Sequence, residues 1–349
     1  MLLNECNKKI STREFELDCL RIIAILAVVM IHCAAPFVIS FPRDSFNFVI
    51  GNFFDSISRI GVPFFVIISG YFILNEDKEL SILKIKSKIL KLFLILGFWS
   101  LFYALTYHFK NFLNAFIYGH YHLWFLYMMI GLYLITPILR LFVKKENKNY
   151  IYYLIILSLI FYFIPPVLSL LFSNDNEITK LAELFSLNFA GTFISYYLIG
   201  YLFRHDYSII KKYIKYIILI TMIALFSIFS GTQFVETKTT PYHIFYANGA
   251  LPVFLYSVSL FVVLYNFFEQ IKPKVSNNIK KVITETSKLS FGIYLIHASL
   301  LKLWQSIFKN IEINAFTNII IIYILTITSS FIITFILSKI KYVNRLIKL

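Results

Sequence analysis

The sequence predicts an all-α integral membrane protein of about ten transmembrane helices, with the N-terminus and the C-terminus both cytoplasmic. Three observations predict it. Apolar residues make up 59% of the 349 residues and charged residues only 15%, with a mean hydropathy of +0.75. That much apolar surface needs lipid as its solvent. Apolar runs near 20 residues recur along the chain, each long enough to cross a bilayer as a helix. The basic residues are also segregated. With the N-terminus inside, 25 of the 33 Lys and Arg fall in cytoplasmic segments and 5 in outer loops, which is the positive-inside pattern. The net charge of +15 is therefore a topology signal, and no nucleic-acid partner is needed to explain it.

The runs lie at 16–40, 53–74, 90–108, 122–143, 150–172, 187–203, 214–231, 244–268, 287–308 and 315–338. They divide the chain into a cytoplasmic N-terminal segment at 1–15, a polytopic membrane domain at 16–338 and a basic cytoplasmic tail at 339–349. The first run is too long for a signal core and lacks a small-residue cleavage site, so it is expected to remain as a span. Cys6, Cys19 and Cys33 are odd in number and lie inside or at helix level, so no disulfide framework is implied. The longest polar stretches, 173–186 and 269–288, are too short for a second domain. No internal repeat emerges, which weakens an inverted-repeat transporter reading.

Ionisable side chains inside a span are costly and are functional candidates by default. In the first span Arg21 and His32 are eleven residues apart, roughly 16 Å along one helical face. Asp18, three residues before Arg21, joins that stripe and can pair with it. Snorkelling by Arg21 and a carbonyl bond from His32 explain the same residues without any ligand. The second span carries Asp55 and Arg59, an i,i+4 pair able to neutralise itself. It continues through Gly61, Pro63 and Gly70, which point to a bend or a close backbone approach. There a buried ion pair at a kink competes with a ligand-binding Arg59.

The fourth span opens His122-Leu-Trp124-Phe-Leu-Tyr127 and runs on to Thr136-Pro137. Trp124 is an interfacial anchor or a platform for a sugar face. In the ninth span Ser290, Tyr294 and His297 are spaced i, i+4, i+7 and share one face; the alternative is a hydrogen-bonded packing seam. The sequence holds no Walker-type loop, GxGxxG, HExxH or Cys cluster for metal. His32 and Cys33 point about 100° apart on a helix and make no dyad.

Together these segments resemble the membrane-bound acyltransferase 3 family. The likeness rests on Arg21-x10-His32 preceded by Asp18, Val-Pro-Phe-Phe-Val-Ile-Ile-Ser-Gly-Tyr71, His-Leu-Trp-Phe-Leu-Tyr127, the following Thr-Pro, and Ser-Phe-Gly-Ile-Tyr-Leu-Ile-His297. Within the family it is similar to the enterobacterial common antigen O-acetyltransferase type.

The resemblance implies a multi-pass protein of the bacterial plasma (inner) membrane. It implies transfer of an acetyl group from acetyl-CoA, a cytoplasmic co-substrate rather than a bound cofactor, to a hydroxyl of a cell-surface polysaccharide or lipid-linked sugar. The implied catalytic residues are His32, Arg21, Tyr294 and His297. Asp18, Arg59, Trp124, Tyr127 and Ser290 are the implied substrate-binding residues, Lys88 among the third-span lysines is a candidate contact to the anionic donor, and no metal is expected. In this reading His32 is the base, and Arg21 with the third-span lysines receives the anionic donor.

One departure is that many members start the third span with Arg-x-Arg. This chain has Lys84, Lys86, Lys88 and Lys91, which neutralise phosphate without gripping it bidentately. The ten-span frame is also expected to stand without the esterase-like domain fused in some relatives. A proton-coupled glycan transporter or flippase using Arg21, His32, Asp55 and Arg59 is the alternative.

Overall fold

A computed structural model describes residues 14–77, 79–107, 109–171, 192–235 and 244–348. The segment 1–13, the outer stretch 173–186 and the first residues of the 187–203 span lie outside the described residues. Among the described residues the chain is helical throughout, with no strand. The helices are α1 (Phe15–Ser40), α2 (Phe46–Ser58), α3 (Gly61–Ile73), α4 (Ile82–Tyr107), α5 (Phe112–Tyr118), α6 (Trp124–Phe142) and α7 (Lys148–Leu171). They continue with α8 (Thr192–Ile210), α9 (Ile214–Ser230), α10 (Leu251–Ile271), α11 (Asn277–Ser287), α12 (Ser290–Phe308) and α13 (Ala315–Lys339).

Seven stretches of the described residues are long and apolar enough to cross a membrane: 15–40, 46–73, 82–107, 124–142, 193–235, 244–274 and 315–339. The stretch 193–235 holds two helices, α8 and α9, separated by a 3-10 turn at Lys211–Tyr213. Its 43 residues are about twice what one crossing requires. Helix α12 is not among the seven, because Ser290, His297, Lys302 and Gln305 dilute its apolar character.

Helix α1 is the hub. It packs against α2, α3, α10, α11, α12 and α13. The second span begins earlier than the sequence pattern indicates and is split into α2 and α3 at Arg59-Ile60. Pro63 explains where the new helix starts. It occupies the first turn of α3, where a missing N–H costs no helical bond. The far end of α3 is closed by Arg140 of α6, whose Nη1 donates to the carbonyls of Ile73 at 2.6 Å and Asn75 at 3.0 Å. A cation on orphan C-terminal carbonyls is favourable.

Gly70 of α3 and Gly200 of α8 set the closest helix pair. A Cβ at Gly70 would stand 1.9 Å from the Tyr197 carbonyl oxygen, and one at Gly200 would stand 2.1 Å from that of Ile67. In lipid, where apolar burial does not drive helix association, such backbone proximity is a main source of attraction.

Two segments read from sequence as polar connections are structured. The stretch 269–288 contains the amphipathic helix α11, capped by Ser276, whose hydroxyl accepts from Ile279 N–H. The basic tail folds back onto α4: Trp99 Nε1 donates to the Leu346 carbonyl at 3.1 Å, and Ile347 is buried. Ion pairs Lys145–Glu76, Arg204–Glu14 and Lys272–Glu16, with Lys88 and Lys288 on one cavity, bring the lysine-rich connections together at one end of the bundle, the basic end.

Candidate active site

Near the basic end lies a cavity of about 350 Å³ lined by residues from α1, α3, α4, α6, α11 and α12. Arg21, Lys88 and Lys288 supply its positive charge. Ser69, Tyr133, Ser287, Ser290 and Tyr294 add hydroxyls, and Phe65, Phe72, Leu92, Phe125 and Met129 form its apolar walls. The i, i+4 face of α12 thus delivers Ser290 and Tyr294 to one wall, as the sequence spacing requires.

Arg21 is held at the cavity by Asp18. Its Nη1 lies 3.0 Å from Asp18 Oδ1, and its guanidinium faces the Phe72 ring at 5.2 Å. Asp18 is fully buried and also accepts from Ser287 Oγ at 2.6 Å and Thr284 Oγ1 at 3.0 Å. Those two hydroxyls come from α11, so the helix hidden in the polar connection completes the carboxylate's hydrogen bonds. A buried carboxylate without such partners would be prohibitive.

Deeper along α1, His32 stacks on His297 with ring centroids 5.3 Å apart. The Arg21-to-His32 stripe therefore joins the cavity at one end and an imidazole cluster at the other. Two members of that cluster were not singled out as site residues from sequence. His122 packs edge-on against His297 at 5.1 Å and against Tyr294 at 5.5 Å, and His120 lies beside it with Nδ1 to Nδ1 at 3.0 Å. Both lie in the turn between α5 and α6, outside regular helix. Gly119 enters that turn in the left-handed region, at φ 71°, which favours glycine. Tyr103 of α4 stacks on His120 at 4.4 Å and donates to the Leu295 carbonyl at 2.8 Å, fixing the turn against α12.

Tyr294 connects the cavity with the imidazoles. Its ring lines the cavity, its hydroxyl donates to the His122 carbonyl at 2.5 Å, and its own carbonyl receives His297 Nδ1 at 2.6 Å. Ser290 donates to the Ser287 carbonyl at 2.8 Å, tying α12 to the end of α11.

The other residues singled out from sequence stand elsewhere. Arg59 pairs with Asp55, donates to the Tyr246 carbonyl at 3.2 Å and lies 3.9 Å over the Tyr246 ring. Trp124 is partly exposed and leans on Phe193 at 5.6 Å, away from the cavity. Tyr127 is also partly exposed, and its hydroxyl donates to the Ile117 carbonyl of α5. Among the described residues no group of three His, Cys, Asp or Glu is arranged to hold a metal ion.

A basic cavity that leads to buried imidazoles inside a polytopic helical bundle suits chemistry carried out within the membrane. The family model described as an acyltransferase domain matches residues 14–338, nearly the whole chain. The chain belongs to the acyltransferase 3 family, and membrane acyl transfer is the activity that membership carries. Neither a curated protein nor a solved structure matches it.

Proposed function

We propose that this protein is a membrane O-acetyltransferase that moves an acetyl group from acetyl-CoA to a hydroxyl of a cell-surface polysaccharide or lipid-linked sugar. The observation that carries the reading is the continuous polar line from Arg21, Lys88 and Lys288, through Tyr294, to His32 and His297. The basic end faces the cytoplasm in this reading, as the positive-inside rule requires, and the bilayer is the bacterial inner membrane. A cavity of about 350 Å³ is too small for a whole coenzyme A thioester. It suits the slender acyl-bearing arm, with the phosphates left at the lysine-rich mouth. Lysine there supplies charge without bidentate geometry, which fits a site at the water boundary.

The reaction needs a base for the acceptor hydroxyl. An imidazole of the stacked His32–His297 pair takes that proton. The freed oxygen attacks the thioester carbonyl carbon, the carbon–sulfur bond breaks, and the proton leaves with the thiolate as the free thiol. Arg21 is already neutralised by Asp18, so it orients the donor at the cavity wall rather than standing as an isolated charge. The acceptor class follows the resemblance to the enterobacterial common antigen O-acetyltransferase type.

The test is transfer of labelled acetyl from acetyl-CoA to the membrane glycan fraction by wild type and by a well-inserted His32→Ala variant. Incorporation by wild type and its loss in the variant are the expected results. Absence of incorporation by wild type would return the proton-coupled transporter to first place, since a transporter does not consume acetyl-CoA.

A further inference from the structure

The cluster contains two ring nitrogens that the reading above leaves without a task. Nε2 of His122 and Nε2 of His297 are buried and have no hydrogen-bond partner among the described residues. The residues are 1% and 0% exposed, and their rings lie 5.1 Å apart. Buried polar atoms are almost always satisfied, so two neighbouring orphans call for a missing partner.

The tautomers say which partner fits. His297 Nδ1 is 2.6 Å from the Tyr294 carbonyl oxygen, which can only accept, so Nδ1 carries the proton and Nε2 presents a lone pair. His120 and His122 meet Nδ1 to Nδ1 at 3.0 Å, a separation that holds a single proton. A seat for a hydroxyl requires that proton to sit on His120, so that His122 accepts at Nδ1 and carries its own proton at Nε2. The pair then offers one lone pair and one N–H, which complement a hydroxyl: a group that donates one hydrogen bond and accepts another. Tyr294 fixes both halves, through its carbonyl to His297 and its hydroxyl to the His122 backbone.

We propose that His122 and His297 form the seat of the acceptor's reacting hydroxyl, with His122 Nε2–H donating to its oxygen and His297 Nε2 accepting its proton. This rests on the acetyltransferase reading and deepens it. The seat lies beside His32, which is stacked on His297, and His120 becomes a positioning residue that sets the His122 tautomer. The ligand class is a primary or secondary sugar alcohol.

The test uses the full protein in lipid nanodiscs, with ring-¹⁵N histidine and octyl glucoside below its micellar concentration as the probe. Octyl glucoside is expected to move the Nε2 resonances of His122 and His297 and leave in place those of His205, which lies on α8 beside Glu76, outside the cluster. In a parallel assay of acetyl transfer from acetyl-CoA to octyl glucoside, H122Q keeps a group at the Nε2 position and H122N one at the Nδ1 position. H122Q is expected to stay within tenfold of the wild-type acceptor KM. H122N is expected to raise that KM at least tenfold, with the KM for acetyl-CoA changed less than twofold. Should H122N perform as well as H122Q, only the His120 contact matters and the seat is refuted. Absence of any shift at either Nε2 refutes it as well. If the resonances move while wild type transfers no acetyl, the seat stands and the acetyltransferase reading falls.

Discussion

Replacing Tyr294 with Phe removes one oxygen from the centre of the site and leaves its packing in place. The ring keeps its neighbours Phe125 at 5.3 Å and His122 at 5.5 Å. What disappears is the buried 2.5 Å hydrogen bond to the His122 carbonyl. A net hydrogen bond contributes about 1 kcal/mol, and orphaning its buried acceptor costs roughly 1–3 kcal/mol. Because the carbonyl belongs to the turn that carries His120 and His122, this energy is felt as displacement of the imidazoles, not as unfolding of α12. At about 1.4 kcal/mol per tenfold, the expected loss in kcat is roughly 10- to 100-fold. The KM for acetyl-CoA should change little, and the yield of folded protein should match wild type. The assay is initial-rate acetyl transfer at saturating acetyl-CoA, paired with size-exclusion profiles of the solubilised variant. Activity within twofold of wild type would refute the positioning role of Tyr294. A loss above about a thousandfold would point instead to direct contact with the reacting atoms, as for an oxyanion donor.

Asp18→Asn leaves Arg21 without its carboxylate and should cost roughly 3–5 kcal/mol, the penalty for breaking a buried pair; the check is a fall in the recovered folded fraction, larger than for Thr284→Val. Lys88→Glu reverses a charge at the cavity wall and should raise the acetyl-CoA KM at least tenfold at low salt. The difference from wild type should narrow as salt screens the mouth, which a KM series at increasing ionic strength would show. Gly200→Val places side-chain atoms where backbone already stands about 2 Å away. It should separate α3 from α8 and abolish a monodisperse solubilised peak, whereas Gly97→Val, with nothing near its Cβ, should not. Arg59→Lys keeps the charge but loses the planar stack on Tyr246, so transfer should fall at unchanged acetyl-CoA KM, measured in the same initial-rate assay.

Much of the candidate site's polar lining is legible in the sequence because it is periodic. Asp18, Arg21 and His32 share a face of one helix, as do Ser290, Tyr294 and His297, and a 3.6-residue repeat exposes such stripes wherever the surroundings are apolar. Gly61, Pro63 and Gly70 marked a break and a close approach, and the chain divides α2 from α3 at Arg59-Ile60 and sets Gly70 against α8. His120 carried no comparable signal. It lies in a connection, where no periodicity constrains which way a side chain points, and its neighbour His122 read as the first residue of a span. Trp124 and Tyr127 illustrate the converse: a shared motif does not fix direction, and their rings turn toward Phe193 and Ile117.

The sequence by itself determined the solvent, the class of secondary structure and the polar faces, because these follow from composition and local helical geometry. Only the tertiary structure decided that α11 satisfies Asp18, that Tyr294 spends its hydroxyl on the His122 backbone, and that His32 and His297 stack. Each of those contacts joins residues far apart in the chain. Such pairings depend on how the helices tilt and approach one another, and no local pattern encodes that.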